Sequence, residues 1–350
     1  MSAFVTGFPG FLGRRLVAGL AERGPVTCLV HPSQLEQARA AAPANVEVLA
    51  GDIAERDLGL SPGDYERVAA ATTAVYHLAA IYDLAVPLQI AQSVNVDGTG
   101  NVLDLCRRCA QLERLHYVST AYVAGDRGGV VYEHELALGQ AFKNHYESTK
   151  FQAEVWVHEE MPELPVTIYR PAIVVGDSRT GETQKFDGPY YMLRVVAFAE
   201  ARGNPIPQFG RASAPFNVVP VDFVVDALLA GSAPDALGRT FHLVDPEPIT
   251  ALDVLSLLAR EYAGREPSYR LPAPLVAESL RIPAVRKLFA GAPRESISYL
   301  NHPVRFDTRQ ATDFLAANGL RCPRFEEYIG PVVAFFREHE DDPAFAPASA

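Results

Sequence analysis

The sequence predicts an α/β fold built on a doubly wound parallel sheet, and three observations carry that prediction. Apolar runs of strand length recur at 3–6, 26–30, 46–49, 74–78, 115–118 and 166–169, each separated from the next by a helix-length segment. Strands alternating with helices imply a parallel sheet covered on both faces. The first run passes straight into Gly7-Phe8-Pro9-Gly10-Phe11-Leu12-Gly13 and then into an amphipathic stretch over 14–22. Finally, 350 residues with 48% hydrophobic content supply one large core or two coupled ones, not several independent domains.

The glycines come first in the chain. Spaced G-x-x-G-x-x-G between a buried strand and a helix, they permit a tight turn and let the backbone approach a pyrophosphate, whose charge the helix N-terminus attracts. The expected dinucleotide-binding residues here are Thr6, Gly7, Phe8, Pro9, Gly10, Phe11, Leu12, Gly13 and Arg14. Residues 94–111 read as one of the later helices. Cys106 and Cys109 fall inside it, and no second ligand pair follows, so packing is expected rather than zinc or redox chemistry. From Gly176 the alternation breaks down, Pro and Gly become frequent, and the sheet is expected to resume at 216–219 and 241–244. This predicts a Rossmann-type domain over 1–176 and 216–244, with a smaller C-terminal substrate lobe from 177–215 and 245–335 over the carboxyl edge of the sheet. Residues 338–350, rich in acid, Pro, Ala and Ser, read as a disordered tail.

Composition narrows the function. A net charge of −11, without runs of Lys and Arg, argues against a nucleic-acid partner. No apolar stretch is long enough to span a bilayer. The first strand begins almost at once, leaving no room for a targeting segment, and four cysteines fit a reduced compartment, so a cytoplasmic location is expected. No metal site is expected.

Two segments carry the chemistry. Tyr146-Glu147-Ser148-Thr149-Lys150 sets a phenol and an amine four residues apart at the start of a helix, so both reach one small volume. An ammonium beside a phenol favours the phenolate and lowers the phenol pKa from its usual ~10. Only four lysines occur in the chain, which makes Lys150 less apt to be filler. The run 115–118 ends in Ser119-Thr120, two hydroxyls at the carboxyl end of a strand, where ligands bind. His77 reads as a core histidine, and Asn95 as either a functional residue or a helix cap.

The order of these motifs resembles the extended short-chain dehydrogenase/reductase superfamily: Thr6-Gly7-x-x-Gly10-x-x-Gly13, Gly51-Asp52-Ile53, His77-Leu78-Ala79-Ala80, Asn95-Val96-Asp97-Gly98-Thr99, Ser119-Thr120, Tyr146-x-x-x-Lys150 and Arg170-Pro171. The resemblance implies that Asp52 and Ile53 hold the adenine end and that Ala79 and Ala80 lie along the cofactor. Asn95, Arg170, Pro171 and Ile173 would join the cofactor site. Thr120, with Ser119 as the alternative, would bond the reacting oxygen; Tyr146 would donate the proton, and Lys150 would bind the nicotinamide ribose and lower the Tyr146 pKa. Within the superfamily the chain is most similar to the branch of fatty acyl-CoA reductases and thioester reductase domains, through 118–123, 169–174, 217–224 and the stretch from Phe306-Asp307-Thr308 to Tyr328.

That branch implies hydride transfer to a largely apolar carbonyl, with an acyl thioester on coenzyme A or on a separate carrier protein as the leading substrate and Arg194, Arg202 and Arg211 as candidates for its phosphates. No adenylation or carrier domain precedes the reductase in this sequence. The segment Val30-His31-Pro32-Ser33 holds no acid to bind the 2′-hydroxyl of NAD, so NADP is preferred, with Arg14, Arg15 or His31 as phosphate contacts. A 3β-hydroxysteroid or dihydroflavonol-type ketone reductase is the alternative. A sugar-nucleotide epimerase or dehydratase, and a non-catalytic cofactor-binding module, are the remaining rivals.

Overall fold

The structure is a computed structural model that describes residues 1–82, 86–209, 213–272, 275, 278, 281–282 and 299–345. Its centre is a seven-stranded parallel sheet of β1 (Ala3–Thr6), β2 (Val26–Val30), β3 (Val46–Ala50), β4 (Ala74–His77), β5 (Arg114–Val118), β7 (Val166–Pro171) and β11 (Thr240–Leu243). The spatial order is β11-β7-β5-β4-β1-β2-β3. The order reverses at β1, which pairs with β2 on one side (Ala3 opposite Val26) and β4 on the other (Ala3 opposite Ala74). A crevice therefore opens at the carboxyl ends of β1 and β4.

Helices cover both faces, so β1, β4, β5, β7 and β11 are buried along their whole length, while edge strand β3 stays partly exposed. On one face α1 (Phe11–Ala21) brings Leu16, Val17 and Leu20 against Val224 and Leu228 of α8 (Val221–Ala230). On the other, α3 (Pro62–Ala71), α5 (Gly98–Arg108) and α6 (His145–Glu160) bury Val68, Val102, Leu105, Ala153 and Val157. A third apolar cluster unites α7 (Tyr190–Ala201), α9 (Ala251–Ala263) and α11 (Phe325–His339). No helix among the described residues is long and apolar enough to cross a membrane.

Two expectations are corrected. The stretch expected to rejoin the main sheet at 216–219 forms β10 (Val218–Pro220), which pairs instead with β8 (Ile173–Val175) in a separate two-stranded sheet. The chain leaves the main sheet at Ala172, whose N–H still reaches the Leu243 carbonyl, and β8 carries β10 away with it. The tail expected from Glu338 is packed as far as Phe345. Glu338 lies within α11, and Phe345 stacks on Phe186 at 5.1 Å and receives the Phe186 N–H on its carbonyl. Phe345, the one phenylalanine of that stretch, anchors it against Phe186 and Phe335, and residues 346–350 lie outside the described residues.

Candidate active site

The glycine turn joins β1 to α1. Gly7 has φ 94°, and a Cβ there would lie 2.8 Å from the Ala79 nitrogen; one on Gly13 would lie 2.4 Å from the Gly7 carbonyl oxygen. Any side chain at either position would wedge the turn open. Gly10 caps α1 without a side-chain hydrogen bond, which leaves first-turn N–H groups for an anion. This cradle fits a dinucleotide pyrophosphate. Thr6 sets its depth, since its hydroxyl bonds His77 Nδ1 at 2.7 Å and accepts from the Ala79 N–H at 3.2 Å. His77 also meets the Thr99 hydroxyl at 3.0 Å, and burial pushes its pKa down to about 3, so it is a neutral, satisfied core histidine. Phe8 is buried in the core, while Phe11 and Leu12 pack against it.

The remaining cofactor candidates divide. Asp52 and Ile53 follow β3; Asp52 Oδ1 accepts the Ala54 N–H at 2.9 Å, and its other oxygen is 3.5 Å from His31 Nε2. His31, half exposed, is also 2.7 Å from the Ser33 hydroxyl. Arg14 is exposed at the start of α1. Arg15 is engaged, donating to Asp177 at 2.8 Å and Glu182 at 3.0 Å, so it holds the 177–182 segment rather than standing open to a phosphate. Asn95 does not cap a helix. It is buried in a π-helical turn (Gln92–Asp97), where its amide accepts from the Ile81 N–H at 2.9 Å and donates to the Thr149 hydroxyl at 3.0 Å. It thereby ties the segment after Ala79 and Ala80 to α6.

Arg170 is corrected outright. Its side chain is 0% exposed and its guanidinium is consumed by Glu154 Oε1 at 2.8 and 2.6 Å, the Glu133 carbonyl at 3.2 Å and His242 Nε2 at 3.2 Å. Its side chain belongs to a core ion pair and turns no guanidinium donor toward the crevice. Pro171 ends β7 with its carbonyl 3.5 Å from the Thr120 hydroxyl, and Ile173 packs against the third cluster.

Tyr146, Lys150 and Glu154 lie four residues apart on α6 and face β5. The Thr120 hydroxyl lies close enough to the Tyr146 phenol to favour its ionised form. Ser119 turns the other way along the extended chain and donates to Glu154, which separates the two hydroxyls and removes Ser119 from the reacting side. Lys150 is 2% exposed; its ammonium donates to Tyr117 Oη at 3.1 Å and the Val118 carbonyl at 2.9 Å, and sits 4.5 Å from the Tyr117 ring centre. Burial lowers its pKa to about 8. The expected lowering of the Tyr146 pKa does not occur here. Burial pushes it above the ordinary phenol value and the Glu147 charge adds to that, outweighing the opposite influence of the neighbouring Thr120 hydroxyl. The phenol therefore keeps its proton at neutral pH. Tyr82, 45% exposed, meets Tyr146 edge-on at 5.1 Å.

The expected phosphate cations sit elsewhere. Arg194 lies against Phe186 (5.6 Å) and Phe336 (6.0 Å), Arg202 stacks on Phe198 (3.6 Å), and Arg211 lies outside the described residues. The cation beside Tyr82 is Lys185, 5.3 Å from its ring centre and 2.9 Å from Asp187. Next to it, Gln184 donates to the Pro9 carbonyl of the glycine turn at 3.2 Å. Nothing in the sequence signalled that contact.

A family model described as Male sterility protein, an NAD-binding family, matches residues 5–228. The chain belongs to this family. It is 28% identical to an aldehyde reductase of Aspergillus flavus over 91% of its own length and 34% of the relative's, and 26% identical to a fatty acyl-CoA reductase of Drosophila melanogaster over 65% of this chain and 53% of that one. The crystal structure of the terminal R domain from the myxalamid PKS-NRPS biosynthetic pathway is similar at a TM-score of 0.82 and 25% identity, over 98% of this chain and 92% of that one. An epimerase of Bacillus cereus in complex with NAD shares the fold at a TM-score of 0.68 and 18% identity. The chain spans only 34%, 27% and 28% of the length of three curated relatives it matches.

Proposed function

We propose that the protein is an NAD(P)H-dependent reductase that transfers a hydride to a largely apolar carbonyl, with an acyl thioester as its leading substrate. The observation that carries this reading is the Thr120–Tyr146 hydroxyl pair at the carboxyl end of β5, with Lys150 one helical turn beyond Tyr146 and the glycine turn at the neighbouring crevice. Bound nicotinamide supplies the hydride. Thr120 and Tyr146 are two neutral donors placed to meet charge that develops on a carbonyl oxygen. Tyr146, protonated at neutral pH, then gives its proton to that oxygen. Lys150, held by Tyr117 and Val118, is placed to orient the ribose and to offset negative charge as the phenol donates. With a thioester the first product is a hemithioacetal, which collapses to aldehyde and thiol; with an aldehyde or ketone it is an alcohol.

The residues proposed to hold the cofactor are the glycine turn, Asp52, Ile53, Ala79 and Ala80, with Asn95 fixing the loop beyond them. NADP is proposed over NAD, supported by the acid-free end of β2 and the exposed Arg14 and His31; the Asp52 carboxylate beside His31 is the opposing feature. The lobe of 177–215 and 245–335 is proposed to select the substrate; its Lys185 lies against Tyr82, whose ring meets Tyr146. The similarity to a fatty acyl-CoA reductase supports a thioester over a ketone.

The test is NADPH oxidation with acyl-CoA thioesters of graded chain length, matched aldehydes and a cyclic ketone. Turnover of thioesters is the expected result. Turnover of aldehydes or ketones alone would transfer the assignment to the ketone-reductase reading.

A further inference from the structure

We propose that Tyr299 is a positioning residue that clamps the segment carrying Thr120 to the helix carrying Tyr146. This rests on the reading above, in which those two hydroxyls act on one carbonyl oxygen. Tyr299 comes from the C-terminal part of the chain, just before β13 (Val304–Phe306), yet its side chain lies between the two catalytic segments.

Its hydroxyl belongs to the helix side. It donates to Glu147 Oε1 at 2.6 Å and accepts from Asn144 Nδ2 at 2.9 Å. Glu147, adjacent to Tyr146, is 0% exposed, and Asn144 caps α6 by accepting the Glu147 N–H at 2.9 Å. The ring belongs to the strand side: it meets Tyr122 edge-on at 5.0 Å and 90°. Tyr122 in turn donates its N–H to the Thr120 hydroxyl at 3.3 Å. Lys143 makes a second bridge, with its ammonium 3.3 Å from Glu147 Oε1 and 2.6 Å from the Gly125 carbonyl, and lies 5.2 Å from the Tyr299 ring centre. Beyond this point β13 pairs with β6 (Gly129–Val131), so the segment bearing Tyr299 is anchored to the same connection that starts at Thr120.

The buried Glu147 carboxylate takes three donors, the Tyr299 hydroxyl, the Lys143 ammonium and the Lys143 N–H at 3.0 Å, so it has little freedom to move, and Tyr299 and Lys143 carry the connection on to Tyr122 and Gly125. Two donors acting on one oxygen must both lie within about 3 Å of it, and a displacement of ~1 Å costs on the order of a hundredfold in rate. The clamp therefore acts on turnover through the Thr120–Tyr146 separation and leaves the cofactor cradle, at β1 and α1, untouched.

Tyr299→Phe keeps the ring against Tyr122 and removes both hydrogen bonds. With NADPH and either octanoyl-CoA or octanal as probes, kcat is expected to fall about tenfold while KM and the NADPH Kd stay within twofold. Amide hydrogen exchange of the full chain should accelerate over 120–125 and 144–150. Glu147→Gln, which retains an oxygen for the Tyr299 hydroxyl, should lose less turnover than Tyr299→Phe, and it serves as the second variant if Tyr299→Phe does not fold. A purely structural tyrosine would lower thermal stability and leave kcat of the folded enzyme unchanged; that result, or unchanged exchange in both segments, overturns the proposal. If the wild type turns over neither probe, the functional reading fails for those probes, and the exchange measurement alone decides the clamp.

Discussion

Replacing Arg170 with methionine separates two accounts of a residue that the sequence motif places near a cofactor and the structure places in the core. The guanidinium makes two hydrogen bonds to one Glu154 oxygen, at 2.6 and 2.8 Å, with both side chains 0% exposed. Burial pushes the Glu154 carboxyl upward, but the Arg170 charge, the His158 ring nitrogen 3.4 Å away and the hydrogen bonds from Arg170 and Ser119 outweigh it and hold the group well below the usual carboxylate range. Arg170→Met leaves that carboxylate buried without its counter-ion, which costs about 3–5 kcal/mol. At roughly 2–4 °C per kcal/mol for a chain of this order of size, Tm should fall by on the order of 10 °C. Adding Glu154→Gln removes the stranded charge and should recover at least ~1 kcal/mol, because the two sites are directly coupled. The same pair predicts the acid limb of stability. A depressed carboxyl contributes stability that is complete above its unfolded value and is lost as pH falls through the folded one, so Glu154 contributes at neutral pH and fails in acid. Urea unfolding followed by fluorescence, with NADPH titration of the folded variant, is the assay. An unchanged unfolding midpoint together with lost NADPH affinity would refute the core assignment and return Arg170 to the cofactor site.

Two further outcomes are expected. Titration should show NADPH bound more tightly than NADH, with Arg14→Ala and His31→Ala each narrowing the difference; tighter NADH binding would overturn the preference. Lys150→Met should abolish most turnover yet leave stability at pH 7 within about 1 kcal/mol of wild type. A lysine pKa lowered by burial to about 8 means that folding is opposed while the amine is charged and gains stability as pH rises through that value. Removing the charge relieves that cost but leaves the Val118 carbonyl without its donor, so the two effects offset; a loss above ~3 kcal/mol in chemical denaturation would contradict this balance.

The sheet is legible in the sequence because the central strands are buried on both faces and therefore rich in apolar residues; 3–6 and 26–30 coincide with β1 and β2. The glycine turn was equally legible, since its demand is local backbone geometry. What escaped depends on partners far apart in the chain. Nothing near Arg170 announces Glu154, although the repeat Tyr146, Lys150, Glu154 on one helical face was available as a signal. Ser119 and Thr120 are chemically alike, and alternation along an extended chain, fixed only once the fold assigns an inner face, decides which one meets Tyr146. Spacing and the family resemblance both point to an effect of Lys150 on Tyr146, while Tyr117 and Val118 claim the ammonium in the folded chain. Lys185, 39 residues from Tyr146 by number, reaches the site through an insertion whose path the sequence does not encode locally.

The measurement that tests the central claim most directly is single-turnover NADPH oxidation by Tyr146→Phe beside the wild type, with octanoyl-CoA and octanal. The substitution deletes one oxygen at a position where the ring stays packed against Tyr82, so folding and cofactor binding should persist. The account predicts an NADPH Kd within a few-fold of wild type and a rate lower by about a hundredfold or more, the usual contribution of a positioned proton donor. A rate within a few-fold of wild type would show that the Tyr146 phenol is not the proton source.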